Sequence, residues 1–166
     1  MAVRILLYLL LMIGVQSALS QLLPSFVSPP DLFLLTAVAL ALRWRPLPAL
    51  LSAYAIGLAQ DALGHGALGL HAAAAAGGVL LVLGLRKFVE APGVAQTLVV
   101  VTTAVAGQWL TFLILTYWLR AGLVTVGTLG SVLPSVLILS VLCAPLLERL
   151  ATWAFGPRAG VEKGFA

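Results

Sequence analysis

Six stretches of the chain are nearly free of charged side chains, and each is bounded by breakers or basic residues. The first, residues 3–23, carries Arg4 at its front and is followed by Pro24, Ser25, Pro29 and Pro30. The second, residues 32–42, is closed by Arg43-Trp44-Arg45, and the third starts after Pro46 and Pro48 and continues to residue 63. The fourth covers residues 68–85 before Arg86-Lys87, and the fifth residues 94–119, ending in Tyr117 and Trp118 with Arg120 behind. The sixth, residues 124–147, contains Pro134 and Pro145 and ends at Glu148-Arg149. Apolar runs of this length predict membrane-spanning helices, for which about 20 residues suffice. The second run reaches only about 17 Å at about 1.5 Å per residue. It crosses only with help from residues 25–31 or from Trp44 at the interface, and a re-entrant hairpin is its alternative.

Composition leads to the same class. The chain has 166 residues, 62% of them hydrophobic and 8% charged, against about 25% charged in soluble domains; the mean hydropathy is +1.15. Six spans leave about 46 residues for all loops and tails at about 20 per span. The expectation is therefore one transmembrane helical domain over residues 1–155 and a short polar cytoplasmic tail over 156–166, disordered beyond its exit at Trp153. The front of the first run resembles a signal peptide, with Ser17-Ala18-Leu19-Ser20 as a cleavage site, and is read as a retained anchor.

The net charge of +4 does not point to nucleic acid, because the basic residues stand singly or in pairs rather than in a phosphate-binding cluster. They orient the chain instead. With the N-terminus in the cytoplasm, Arg4, Arg43, Arg45, Arg86, Lys87, Arg149, Arg158 and Lys163 fall inside and only Arg120 outside, which predicts that both termini are cytoplasmic. Cys143 is the only cysteine, so neither an internal disulfide nor a cysteine metal cage is available.

In the third run Ala49, Ala53, Gly57 and Asp61 recur every four residues, and in the fourth Gly69, Ala73 and Gly77 do the same. Small residues at this spacing let helix backbones approach closely, so the third and fourth helices are expected to pair antiparallel, and Gly57→Leu or Gly69→Leu is expected to abolish complex formation with a partner chain by steric exclusion. Part of this face is also a candidate for a helix from another chain. Asp31, after Pro29-Pro30, is placed to cap the second helix. Asp61, near the outer boundary, is expected to pair with His65 one turn later, and His71 to bond a neighbouring carbonyl. A metal site from Asp61, His65 and His71 lacks a helical histidine pair. Gln108, with Trp109, Thr102, Thr103 and Thr111, makes a polar notch in the fifth helix, read as glue between helices. The chain has no G-x-S-x-G, HExxH or P-loop, and Asp31 and Asp61 both read as superficial, so neither catalysis nor a cofactor is expected.

The segment Pro30-Asp31-Leu32-Phe33-Leu34-Leu35, then Gly57-Leu58-Ala59-Gln60-Asp61-Ala62-Leu63, then Gly66-Ala67-Leu68-Gly69-Leu70 resembles the rod shape-determining membrane protein family MreD. Length, six hydrophobic runs and the near absence of loops are similar across most of the chain; His71 departs from the family pattern, where a residue such as Asn is expected. The resemblance implies an all-α polytopic inner-membrane protein, similar in its six helices to the substrate-binding subunits of energy-coupling-factor transporters. It also implies a non-enzymatic scaffold of the cell-wall elongation complex. Such a scaffold binds the single-span protein MreC and through it connects MreB with RodA and its transpeptidase partner, with a second copy of the chain as a further candidate partner. Pro30, Asp31, Ala53, Gly57, Asp61, Gly66, Gly69 and Gly77 are the expected partner and packing residues. The alternative is a small-molecule-binding transport subunit, with an outward pocket near Asp31, Asp61 and His65.

Overall fold

The computed structural model describes residues 2–24, 27–64, 68–86, 94–119 and 126–158. It is all-helical there: α1 (Ala2–Leu22), α2 (Leu32–Ala41), α3 (Pro46–Leu63), α4 (Leu70–Leu85), α5 (Val94–Trp118) and α6 (Val126–Phe155). Three of these contain stretches long and apolar enough to cross a membrane, Val3–Leu22, Ala95–Trp118 and Gly130–Phe155. The chain is a helical membrane protein by that measure.

The shortest helix is the centre of the bundle. Nine residues of α2 are buried, and α2 packs against each of the other five helices. A helix that is hydrophobic all round has no face to give to water or to spare for lipid, so it is driven to the position with most neighbours. Tyr8 of α1 reaches Thr36 of α2 through a 3.0 Å hydrogen bond between hydroxyls, and its ring meets Phe155 of α6 edge-on at 5.1 Å. These contacts fasten the outermost helix, α1, to the core.

Close backbone packing holds α3 to α4 and α4 to α5. A Cβ placed on Gly57 would lie 2.6 Å from both Ala72 Cα and His71 O, so α3 and α4 touch backbone to backbone as the small-residue spacing predicts. The fourth helix uses its glycines on the opposite neighbour: a Cβ on Gly77 would collide with Thr111, and one on Gly78 would lie 2.6 Å from Ala104 O. Gly69 does not belong to this stripe. It is the N-cap of α4 with φ +93° and open space around its missing Cβ, so steric exclusion does not apply there. Four-residue spacing is the same whether a glycine is needed for contact or for a left-handed turn.

The two glycines therefore predict separable defects. Gly57→Ala is expected to destabilise the protein by about 2–3 kcal/mol, because both clashing partners are backbone and the helices must part. Gly69→Ala is expected to cost about 1–2 kcal/mol, through φ strain alone. Melting curves of the two variants in detergent check the order; equal stability of Gly57→Ala and the parent would remove the close-packing argument.

The sixth helix does not end at Glu148-Arg149 but continues to Phe155, because Glu148 is paired within the bundle rather than released at an interface. The segment 156–158 is likewise held: Gly156 O accepts from Arg43 Nε at 2.8 Å and Arg158 reaches Glu148 and Gln96. The rest of the expected tail lies outside the described residues.

Candidate functional site

The connection from α1 to α2 contains Pro29 and Pro30, which have no N–H to donate, so the backbone donors that remain must find partners elsewhere. Each does. Ser28 N donates to Ser135 Oγ at 3.3 Å, Asp31 N to Ser140 Oγ at 3.3 Å and Leu32 N to Gln16 Oε1 at 3.1 Å. Leu34 N donates to Asp31 Oδ1 at 2.8 Å, the cap expected of Asp31. The other oxygen, Asp31 Oδ2, accepts from Gln108 Nε2 of α5 at 2.6 Å. Pro30 is fully buried, and the turn is thus stitched to α1, α5 and α6.

Asp61 is no superficial residue: it is 2% exposed and serves as the cap of a helix other than its own. The N-terminus of α4 has free N–H groups, and Gly69 at its N-cap has no side chain to satisfy them. The Asp61 carboxylate, arriving from α3, accepts from Gly69 N at 2.8 Å and Ala72 N at 3.2 Å on Oδ2, and from His71 N at 3.1 Å on Oδ1. His71 Nδ1 donates to Oδ1 at 2.7 Å. The imidazole therefore bonds a carboxylate rather than the neighbouring carbonyl the sequence suggested. The negative charge lies at the positive end of the α4 dipole. His65, the expected partner, lies outside the described residues, as does Gly66. Ala53, at 0% exposure, belongs to the buried core.

Between Asp31 and His71 lies a cavity of about 220 Å³, lined also by Gln60, Gln108, Trp109 and Phe112 among others. The rings of Trp109 and Phe112 stand 5.8 Å apart, and His71 is 5.8 Å from Phe112. Gln60 Oε1 is buried without a hydrogen-bond partner. Gln60 is missed as a site residue by sequence reasoning because it reads as the flank of Asp61. Its only signal is an amide directly before a carboxylate near the end of an apolar run.

A second polar centre sits at the opposite end of α2. Arg43 is 7% exposed and donates to Ala39 O, Glu148 Oε1 and Oε2, Thr152 Oγ1 and Gly156 O. Glu148 Oε1 also accepts from Arg158 Nε at 2.9 Å, whose Nη1 donates to Gln96 of α5. Arg86 Nη1 donates to Ala41 O at 2.8 Å and Trp44 O at 3.0 Å, closing the C-terminus of α2, and the Arg4 guanidinium lies 5.8 Å over the Trp153 ring. Sequence reasoning counted these arginines as orientation signals; the structure also makes Arg43 an interior brace. No protein-family model, curated protein or solved structure matches this chain.

Proposed function

We propose that this chain is a non-enzymatic scaffold of the bacterial cell-wall elongation complex, crossing the inner membrane six times with both termini in the cytoplasm and binding the single-span protein MreC. Through MreC it would connect MreB with RodA and its transpeptidase partner. Two observations support the membrane arrangement. Arg4, Arg43, Arg86 and Arg158 gather at one end of the helices through their contacts with Trp153, Glu148 and the α2 terminus, as cytoplasmic arginines would. The short α2 is enclosed by its neighbours, so its length need not match the bilayer on its own.

The observation that carries the scaffold reading is the state of α3. Among the described residues it packs on α2 and α4 alone, and its sequence, with Ser52, Tyr54, Gln60 and Asp61, leaves it outside the helices apolar enough to span unaided. Its open face presents Leu47, Leu51, Tyr54 and Leu58 at spacings of one helical stripe. A helix of this kind gains from a protein neighbour, since helices in lipid associate by packing and polar contacts rather than by hydrophobic force. Of the residues of the MreD resemblance, Gly57, Asp61 and Gly69 fix α3 to α4, and Pro30 and Asp31 tie the start of α2 to α1, α5 and α6, which holds that face in place.

Photocrosslinking amino acids at Leu51, Tyr54 and Leu58, compared with Leu142 and Leu146 on α6, test the assignment in native membranes. Capture of a single-span coiled-coil protein from α3 positions is the expected result. Capture only from α6 would move the interface, and co-purification of paired ATPases would replace the scaffold by the transport reading.

A further inference from the structure

The cavity between Asp31 and His71 has a charge imbalance. Of the carboxylates among the described residues, Glu148 is paired with Arg43 and Arg158 and Asp61 accepts four hydrogen bonds at the N-terminus of α4, whereas Asp31 receives only Leu34 N and Gln108 Nε2. Each carboxylate oxygen keeps a further lone pair. No lysine or arginine lines the cavity, and the described arginines that reach a side-chain partner do so at the far end of the bundle. A carboxylate in an apolar bundle without a cation is costly and marks a functional site by default.

The second observation is independent of charge. Gln60 lines the same cavity, and its Oε1 is a buried acceptor without a donor among the described residues; such an atom carries its desolvation cost until a turn of the amide brings it to a donor. The third is the wall of Trp109 and Phe112, whose ring faces attract a cation. Acceptors, one uncompensated negative charge and aromatic faces together favour an N–H-bearing cation and disfavour an anion. The volume of about 220 Å³ holds about seven water-sized groups at about 30 Å³ each.

We propose that this cavity binds the ammonium group of a small primary amine, with Asp31 as counter-ion, Gln60 Oε1 as hydrogen-bond acceptor and Trp109 as a cation-facing wall. The amine has two sources with the same chemistry, a free aminoalcohol or the headgroup of an aminophospholipid from the surrounding leaflet. This site is separate from the outer face of α3 and does not depend on the scaffold reading.

The full-length protein, purified in detergent free of aminophospholipid, is titrated with ethanolamine, with glycerol and acetate as neutral and anionic controls. In parallel it is placed in phosphatidylethanolamine or phosphatidylglycerol nanodiscs and retained lipid is read by native mass spectrometry. Saturable ethanolamine binding without response to acetate or glycerol assigns a free amine. Retention of phosphatidylethanolamine over phosphatidylglycerol, displaced by ethanolamine, assigns the headgroup. Asp31→Asn keeps a capping oxygen but removes the charge, and is expected to weaken binding about tenfold or more. Gln60→Leu removes an unsatisfied atom, so it is expected to leave the melting temperature equal or higher while weakening binding about tenfold. Should Asp31→Asn fail to fold, Gln60→Leu alone decides. Absence of amine binding in both arms, equal response to glycerol, or full binding by folded Gln60→Leu overturns the proposal.

Discussion

Replacing Asp61 with Leu is expected to lower the stability of the bundle by at least about 3 kcal/mol, the sum of several buried donors at about 1–3 kcal/mol each. Gly69 N, His71 N, Ala72 N and His71 Nδ1 all donate to this one carboxylate, and no other side chain caps α4. Asp61→Asn retains one accepting oxygen and presents an amide to donors, so its loss is expected to be smaller but still above about 1 kcal/mol. Insertion into the membrane is unaffected in both, because apolar length is unchanged. The check is a melting curve in detergent followed by tryptophan emission, where Asp61→Leu is expected to fall by about 10 °C. Were Asp61→Leu as stable as the parent, the cross-helix cap would have no energetic role. The same variant separates fold from partner: if it melts normally but loses crosslinks from Tyr54, Asp61 acts on the interface instead.

The second large effect is expected at the other end of the molecule. Arg43→Leu removes five hydrogen bonds and leaves Glu148 with Arg158 alone. The loss is expected to be about 2–3 kcal/mol, because several hydrogen bonds to a buried guanidinium are broken at once while Glu148, partly exposed, keeps Arg158. Arg43→Lys is expected to recover less than half of that loss, since an ammonium cannot reproduce the planar fork that serves Glu148, Thr152 and Gly156 together. The double variant Arg43→Leu with Glu148→Leu is expected to lose less than the sum of the two single variants, which identifies the Arg43–Glu148 pair as part of the cost. Additive losses in that cycle would show that Arg43 acts through packing alone. Topology mapping of Arg43→Leu adds a separate reading: orientation is expected to persist, as Arg4, Arg86 and Arg149 remain.

Much of this architecture is legible in the residue pattern. The runs at 3–23, 32–42, 68–85 and 94–119 become helices within about two residues at each end, and the third, read as starting after Pro48, takes both prolines into its first turn, since apolar length and flanking breakers are local properties that tertiary contacts seldom alter. The capping role of Asp31 is legible for the same reason, as the N–H groups it serves are three residues away. The α3–α4 contact at Gly57 is legible because small residues at four-residue spacing have one dominant use in lipid. Glu148 misled the reading of α6, since a Glu-Arg pair at the end of an apolar run looks like an exit. Its neutralising partner Arg43 is distant in sequence, and only their meeting allows the helix to continue to Phe155.

The sequence by itself determined that this is an all-helical membrane protein, where its helices start, and that Asp31 caps the second of them. These follow from hydrophobic length, breakers and hydrogen bonds that close within one turn. Only the tertiary structure decided that the shortest helix lies at the centre, that Asp61 caps α4, and that Gly69 bends while Gly57 packs. It alone brought Asp31, Gln60, Gln108 and Trp109 to one cavity. The reason is physical: a buried charge or amide is satisfied by whichever groups the packed backbones bring within about 3 Å, and in this bundle those groups come from helices that are neighbours in space and far apart along the chain.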